Sequence, residues 1–352
     1  MNVAILGAGN WGTVLAHLVA RNGHDARLWT RNAQQRDEIN AARTNERAIP
    51  GLAIARGVRA TTDLHAALAD AELVLVAIPS QSFRDVCHRA SEALQPDHLV
   101  VHASKGLELG THRRMSEILV EETCVRQLGV LSGPNIAAEV AQGKPAGTVI
   151  ASHFPRLIEV SRAALGSSRF MIFDGTDVLG IELCGALKNV VAIAAGMADE
   201  MQVGDNAKAF LATRGMAEVT RLAHAMGAES ATMMGLAGIG DLTVTCASPL
   251  SRNHRIGVAL ARGERLAAAA ARLGMVAEGA HAAVAARELA RAHGIEMPLF
   301  QRVHAVLYEN LAPRDALEEL MLLPAGHDVA RFAATRAPSV SRGMLRTVSR
   351  SS

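Results

Sequence analysis

Gly7-Ala8-Gly9-Asn10-Trp11-Gly12 is the stretch that decides the fold. It follows Asn2-Val3-Ala4-Ile5-Leu6, an apolar run that reads as a strand, and it leads into Trp11–Arg21, whose spacing reads as a helix. A G-x-G-x-x-G pattern alone is weak. Between a strand and a helix it becomes a dinucleotide-binding turn. Gly7 permits the tight turn, Gly9 lets backbone approach a pyrophosphate, and Gly12 lets the helix lie close to the strand. The helix start adds free N–H groups and the positive end of its dipole.

The next strand outward, Ala26–Thr30, ends in Arg31 and Asn32. An NAD-selective site carries an acid at that end to bind the ribose hydroxyls. None is present, and Arg31 can fork a 2′-phosphate. NADP(H) is therefore the expected cofactor, with NAD(H) left open. Leu73–Ile78, Leu99–His102 and Val130–Leu131 read as further strands. Helices are expected from about Ala33 to Ala42 and from near Gln81 and Thr111. This alternation predicts an α/β, doubly wound, mostly parallel Rossmann sheet over residues 1–180. Its strands are apolar throughout, as expected when helices cover both faces.

From Ile181 to Leu323 the chain is alanine-rich and helical in period, with Gly196, Gly227 and Gly263 expected at helix ends. Residues 181–330 read as an all-α substrate domain. Residues 331–352 hold five arginines and no acid, and read as a basic, disordered tail.

The chain has 352 residues, 49% of them hydrophobic, which is enough for two domains with sizeable cores. Aromatics at 3% argue against a platform for stacked bases. Lys+Arg is 36 and Asp+Glu is 34, too balanced to imply nucleic acid or an anionic membrane. Without the five tail arginines, 31 basic residues face 34 acidic ones, a net −3. Anionic ligands must then be drawn in locally, by Arg31, Lys105, Lys188 and Arg252. Cys87, Cys124, Cys184 and Cys246 lie far apart, with no C-x-x-C pair and no metal-ligand spacing. They read as reduced thiols, without a disulfide framework or a metal site. Leu73–Pro79 is too short to span a membrane, and Gly185–Met197 carries Lys188. Met1 leads straight into a strand with no signal-type segment. A soluble cytoplasmic protein is the expectation.

Five later segments carry the candidate chemistry. Ser104-Lys105-Gly106-Leu107-Glu108 follows the strand Leu99–His102, which places Lys105 at the carboxyl edge where such sheets bind ligands. Ser132-Gly133-Pro134-Asn135 is a tight turn. Lys188 lies in an apolar helix, and its helical neighbours Cys184, Gly185, Val191 and Ala192 are small or apolar. A snorkelling lysine shows the same pattern, but such neighbours favour a lysine facing an internal cleft. A desolvated lysine near another cation has a lowered pKa and suits proton transfer. Gly238-Ile239-Gly240-Asp241 suggests a tight loop aiming Asp241. Ser251-Arg252-Asn253 groups hydroxyl, guanidinium and amide donors, a set that suits a phosphate. Alone, Lys105 also reads as a solvated side chain, and the Asp241 and Ser251–Asn253 segments as a loop or a helix cap.

In order along the chain, these segments resemble bacterial NAD(P)-dependent glycerol-3-phosphate dehydrogenases. The shared motifs are G-A-G-N-W-G-T at Gly7–Thr13, S-K-G-L-E at Ser104–Glu108 and S-G-P at Ser132–Pro134. They continue with G-A-L-K-N-V-x-A-I at Gly185–Ile193, G-I-G-D-L at Gly238–Leu242, S-R-N at Ser251–Asn253 and V-A-E-G at Val276–Gly279. The likeness covers about residues 1 to 325. It implies a homodimer that reduces dihydroxyacetone phosphate to sn-glycerol 3-phosphate for glycerophospholipid synthesis. Lys188 corresponds to the catalytic lysine, which gives the carbonyl oxygen its proton. Lys105 would contact substrate and cofactor. Asp241 would orient Lys188 or a substrate hydroxyl. Gly133, Asn135, Ser251, Arg252 and Asn253 would hold the substrate. Gly7, Gly9, Asn10, Trp11, Gly12, Arg31, Ala137, Arg252, Val276 and Glu278 would line the dinucleotide. Asn135 departs from the hydroxyl residue common after S-G-P, and Ile136 from an aromatic. A two-domain dehydrogenase of hydroxyacids is the nearest rival. A silent cofactor-sensing protein is a rival of another class, but it would be expected to have lost Lys188, Lys105 or Asp241.

Overall fold

The computed structural model describes residues 1–274 and 278–324. Among the described residues eight strands form one sheet: β1 Asn2–Leu6, β2 Asp25–Trp29, β3 Val58–Thr61, β4 Leu73–Val76, β5 Leu99–His102, β6 Gln127–Ser132, β7 Ala146–Ser152 and β8 Phe170–Gly175. Their order is β3-β2-β1-β4-β5-β6-β7-β8. Neighbours run parallel except β6 with β7. Alternating residues feed two cores. Val3, Ile5, Leu73 and Leu75 enter one, while Ala4, Leu6, Val74 and Val76 enter the other. Burial on both faces is why Leu73–Val76 shows no polar alternation.

β3, β7 and β8 have no counterpart in the sequence reading. β3 alternates buried with exposed residues, and β8, at the sheet edge, leaves Met171 and Phe173 in water. Uniform apolarity finds central strands and overlooks edges. The two helices expected from Gln81 and Thr111 begin at Phe83 and Met115.

The sheet gives way to one long helix, Val178–Glu200, whose first turn is capped by Asp177 through Gly180 N at 2.8 Å. Among the described residues it alone is long and apolar enough to cross a membrane, yet 94% of its most apolar window is buried inside the protein. It is a core helix. Asp205–Ala225, Asp241–Ala247, Arg252–Ala261 and Glu278–His293 pack around it.

Gly196 corrects the sequence reading, because it lies inside this helix and does not end it. A Cβ there would sit 2.0 Å from His254 O, and one on Gly257 would sit 2.1 Å from Ile193 O. The two glycines let the crossing helices touch backbone to backbone. Gly227 and Gly263 do follow helix ends, at φ of 101° and 86°. The tail expected at 331–352 and the contact expected at Val276 lie outside the described residues.

Candidate active site

The glycine turn is built from backbone. Gly7 has a φ of 113°, and a Cβ on it would lie 2.5 Å from Ala77 O, just past β4. A Cβ on Gly12 would lie 1.8 Å from Gly7 O. Around Gly9 the opposite holds, since no described residue lies within 4 Å of where its Cβ would be. Gly9 opens the Asn10–Arg21 helix without a side-chain cap, so the first N–H groups face outward for a ligand. Asn10 is exposed. Trp11 is half-buried, meets Phe170 edge-on at 6.1 Å, and packs on the same apolar core as Ala137. Arg31 is exposed just beyond β2. Gln35 Nε2 and Asn45 Nδ2 donate to Ala8 O at 2.8 and 3.1 Å, and Asn45 also donates to Thr13 Oγ1 at 2.8 Å. These two side chains brace the turn and were missed in the sequence, where nothing links them to it. An open glycine at a helix start, with a guanidinium at the second strand, fits a phosphorylated dinucleotide.

Farther along the same edge the chemistry is built from side chains. Lys105 follows β5, Lys188 lies in the core helix, and Asp241 bridges them. Lys105 Nζ donates to Oδ2 and Lys188 Nζ to Oδ1, each at 2.6 Å. Lys188 also donates to Thr245 Oγ1 at 2.5 Å, and Lys105 to Gly133 O at 3.2 Å. A Cβ on Gly185 would stand 3.3 Å from Ser132 Oγ and 3.6 Å from Lys105 Cγ. The small residue one turn before Lys188 therefore lets the end of β6 and the Lys105 loop reach the helix. Asp241 is not in the expected loop. Leu236–Gly240 is a wide helical turn that runs into the Asp241–Ala247 helix. Thr245 was missed as well, although its four-residue spacing from Asp241 on a helix is a readable signal.

Burial pushes the Lys188 ammonium down to about 8, against the pull of Asp241 and with the help of the Lys105 charge. Burial works to raise the Asp241 carboxyl, but the two ammonium groups outweigh it and hold it below the usual range. The site is thus one carboxylate between two cations, with one of them poised near neutral pH. Cys246 lies close by, and burial raises its thiol to about 12, as it does for Cys87 and Cys184. All four cysteines are free.

The remaining candidates gather around this cluster. Asn135 Nδ2 donates to Thr148 Oγ1 at 2.9 Å, while its Oδ1 is buried without a partner among the described residues. Ser251 caps the Arg252–Ala261 helix by accepting from His254 N at 3.3 Å. Asn253 Oδ1 accepts from Gly279 N at 3.0 Å. A Cβ on Gly279 would sit 2.7 Å from Asn189 O, next to Lys188 in the chain. Arg252 reaches Glu278 at 3.6 Å. The structure thus brings Ser251, Arg252, Asn253 and Glu278 together against the core helix. Among the described residues, no hydrogen bond or ion pair joins Arg31, beyond β2, to them.

A Rossmann sheet that carries an open glycine turn and a largely buried Lys–Asp–Lys bridge along one edge, closed by a helical domain, defines a two-domain nicotinamide-dependent dehydrogenase. Residues 2–157 match the family model of the NAD-dependent glycerol-3-phosphate dehydrogenase N-terminus, and residues 177–318 match that of its C-terminus. The chain belongs to this family and is an oxidoreductase. It is 42% identical to a glycerol-3-phosphate dehydrogenase [NAD(P)+] of an Exiguobacterium species, over 93% of this chain and 97% of that one. The Coxiella burnetii glycerol-3-phosphate dehydrogenase structure superposes with a TM-score of 0.87 at 37% identity, covering 91% of this chain and 98% of that one. The Saccharomyces cerevisiae enzyme gives 0.80 at 28% identity, over 90% and 99%.

Proposed function

We propose that this protein is a glycerol-3-phosphate dehydrogenase that reversibly reduces dihydroxyacetone phosphate to sn-glycerol 3-phosphate, with Lys188 as the proton donor. One observation carries the mechanism: Lys188 is buried, shares the Asp241 carboxylate with Lys105, and is held near 8. The cofactor is NAD(P)H, which when bound supplies the hydride for the carbonyl carbon. Lys188 gives the carbonyl oxygen its proton, and its neutral amine takes that proton back in the reverse direction. Lys105 lends positive charge to the developing alkoxide. Asp241 aims both ammonium groups, and Thr245 fixes a further direction of Lys188.

Ser251, Arg252 and Asn253 take the substrate phosphate, while Gly133 and Asn135 face its other end. The free Oδ1 of Asn135 supports this role in place of a hydroxyl residue. Gly7, Gly9, Asn10, Trp11 and Gly12 cradle the dinucleotide. Ala137, Val276 and Glu278 line it, joined by Lys105 and Arg252. Arg31 takes the 2′-phosphate, favouring NADP(H) with NAD(H) also accepted. In this reading residues 1–180 bind cofactor and residues 181–330 close over the substrate. The protein acts in the cytoplasm as a homodimer and feeds glycerophospholipid synthesis, since its product is the phosphorylated triol on which those lipids are built. NADPH oxidation with dihydroxyacetone phosphate, repeated with NADH, tests it. Turnover with 2-oxoacids but none with the triose phosphate would replace this substrate by a hydroxyacid.

A further inference from the structure

A second buried polar cluster lies one and a half turns before Lys188 on the core helix. Its centre is Glu182, a residue 6% exposed. Glu182 Oε2 accepts from Arg114 Nη1 and Ser116 Oγ, each at 2.6 Å, and Oε1 accepts from Ser116 N at 2.8 Å. His102 Nε2 stands 3.1 Å from Oε1, an ion-pair distance with poor hydrogen-bond alignment. Burial works to raise this carboxyl, but His102 and Arg114 hold it down at about 2. It is therefore a permanent charge.

The partners matter more than the charge. His102 is the last residue of β5, fully buried, and Phe83 meets its ring edge-on at 5.9 Å. Its Nδ1 lies 3.3 Å from Ser104 O, immediately before Lys105. Arg114 and Ser116 sit at the start of the Met115–Glu122 helix, beyond the Lys105 loop. Glu182 thus grips both ends of the segment that carries Lys105, from the same helix that carries Lys188. The contacts close a ring from Glu182 through His102, Ser104, Lys105, Asp241 and Lys188 back to the core helix. A buried carboxylate with this many partners is costly to assemble and costly to break.

We propose that Glu182 is a positioning residue for the reaction: it fixes the Lys105 segment against the core helix, so that Lys105 and Lys188 share Asp241 at reacting distance. This rests on the reading of Lys188 as proton donor. If the grip loosens, Lys105 withdraws from Lys188, and Asp241 then holds the Lys188 proton more firmly. Among the described residues, Lys105, Asp241, Cys246 and Cys184 are charged or titratable groups that face Lys188.

Glu182→Gln removes the charge and keeps the size. The expected result is a kcat for dihydroxyacetone phosphate reduction lowered by about 10- to 100-fold. The KM for NADPH stays within about twofold. The alkaline limb of the kcat profile moves to higher pH. A merely structural role lowers Tm and the folded fraction but leaves that limb in place. Glu182→Asp, which retains the charge, restores the limb toward its native position. His102→Gln keeps the other partners, shifts the limb in the same direction by less, and decides alone if the Glu182 variants do not fold. An unmoved limb, or a kcat per folded molecule within about twofold of the native enzyme, overturns the proposal. A Lys188→Ala enzyme with native turnover would instead sink the proton-donor reading, and the Glu182 effect on kcat would still be measurable apart from it.

Discussion

The glycine turn and the lysine bridge share one sheet edge and are built in opposite ways. The turn is local and open. Gly7 to Gly12 span a single β–α junction, and Gly9 faces empty space. The bridge is assembled from distant parts of the chain and is closed: Lys105 and Asp241 stand 136 residues apart, and Lys188 and Asp241 are almost fully buried. The turn works by having no side chains where a ligand must come close. The bridge works by enclosing charge where water would otherwise screen it. Damage to the first should appear in cofactor affinity, and damage to the second in turnover.

Substitutions can break that division. Lys188→Ala should have the largest effect, a fall in turnover of about a thousandfold or more. NADPH affinity, followed by fluorescence titration, should stay near native. Loss of NADPH binding together with turnover would merge the two regions into one. Asp241→Asn should come next. It leaves the buried Lys188 ammonium facing the partly exposed Lys105 ammonium without a carboxylate between them, lowering kcat by about a hundredfold. It should also destabilise the fold by about 3–5 kcal/mol in denaturant melts.

Two glycines sharpen the contrast inside the turn. Gly12→Ala drives a methyl into Gly7 O and should cost about 1–3 kcal/mol of stability. Gly9→Ala meets only open space, so Tm should hold while the KM for NADPH rises about tenfold. A drop in Tm for Gly9→Ala as large as for Gly12→Ala would contradict this geometry. Arg31→Ala should be the mildest, weakening NADPH about tenfold more than NADH. Equal losses would mean that Arg31 does not read the 2′-phosphate.

The same division explains what was legible in the sequence. The turn could be read outright, because its strand, glycines and helix are contiguous and each glycine has a local reason. The central strands were legible because burial on both faces removes polar alternation. Edge strand β8 was not, since half of it is wet. Lys188 was legible as a charge among small residues. Thr245 left only its four-residue spacing from Asp241 as a signal, and Glu182 takes its meaning from tertiary contacts alone. Gly196 misled because a glycine that ends a helix and one that lets two helices touch look alike in sequence. Gln35, on the Ala33–Ala41 helix, and Asn45, in the turn after it, brace the glycine turn through contacts that no local pattern announces.

The central claim is that burial and a neighbouring cation hold Lys188 near 8, so that one group serves both directions of the reaction. Steady-state kcat measured against pH in both directions tests it most directly. Reduction needs the ammonium and should fall as pH rises through about 8. Oxidation needs the free amine and should rise through the same midpoint. Opposite limbs that cross there are the predicted result. Limbs that run in the same direction, or a reduction rate that stays flat to the pH range of an ordinary lysine, would contradict the account.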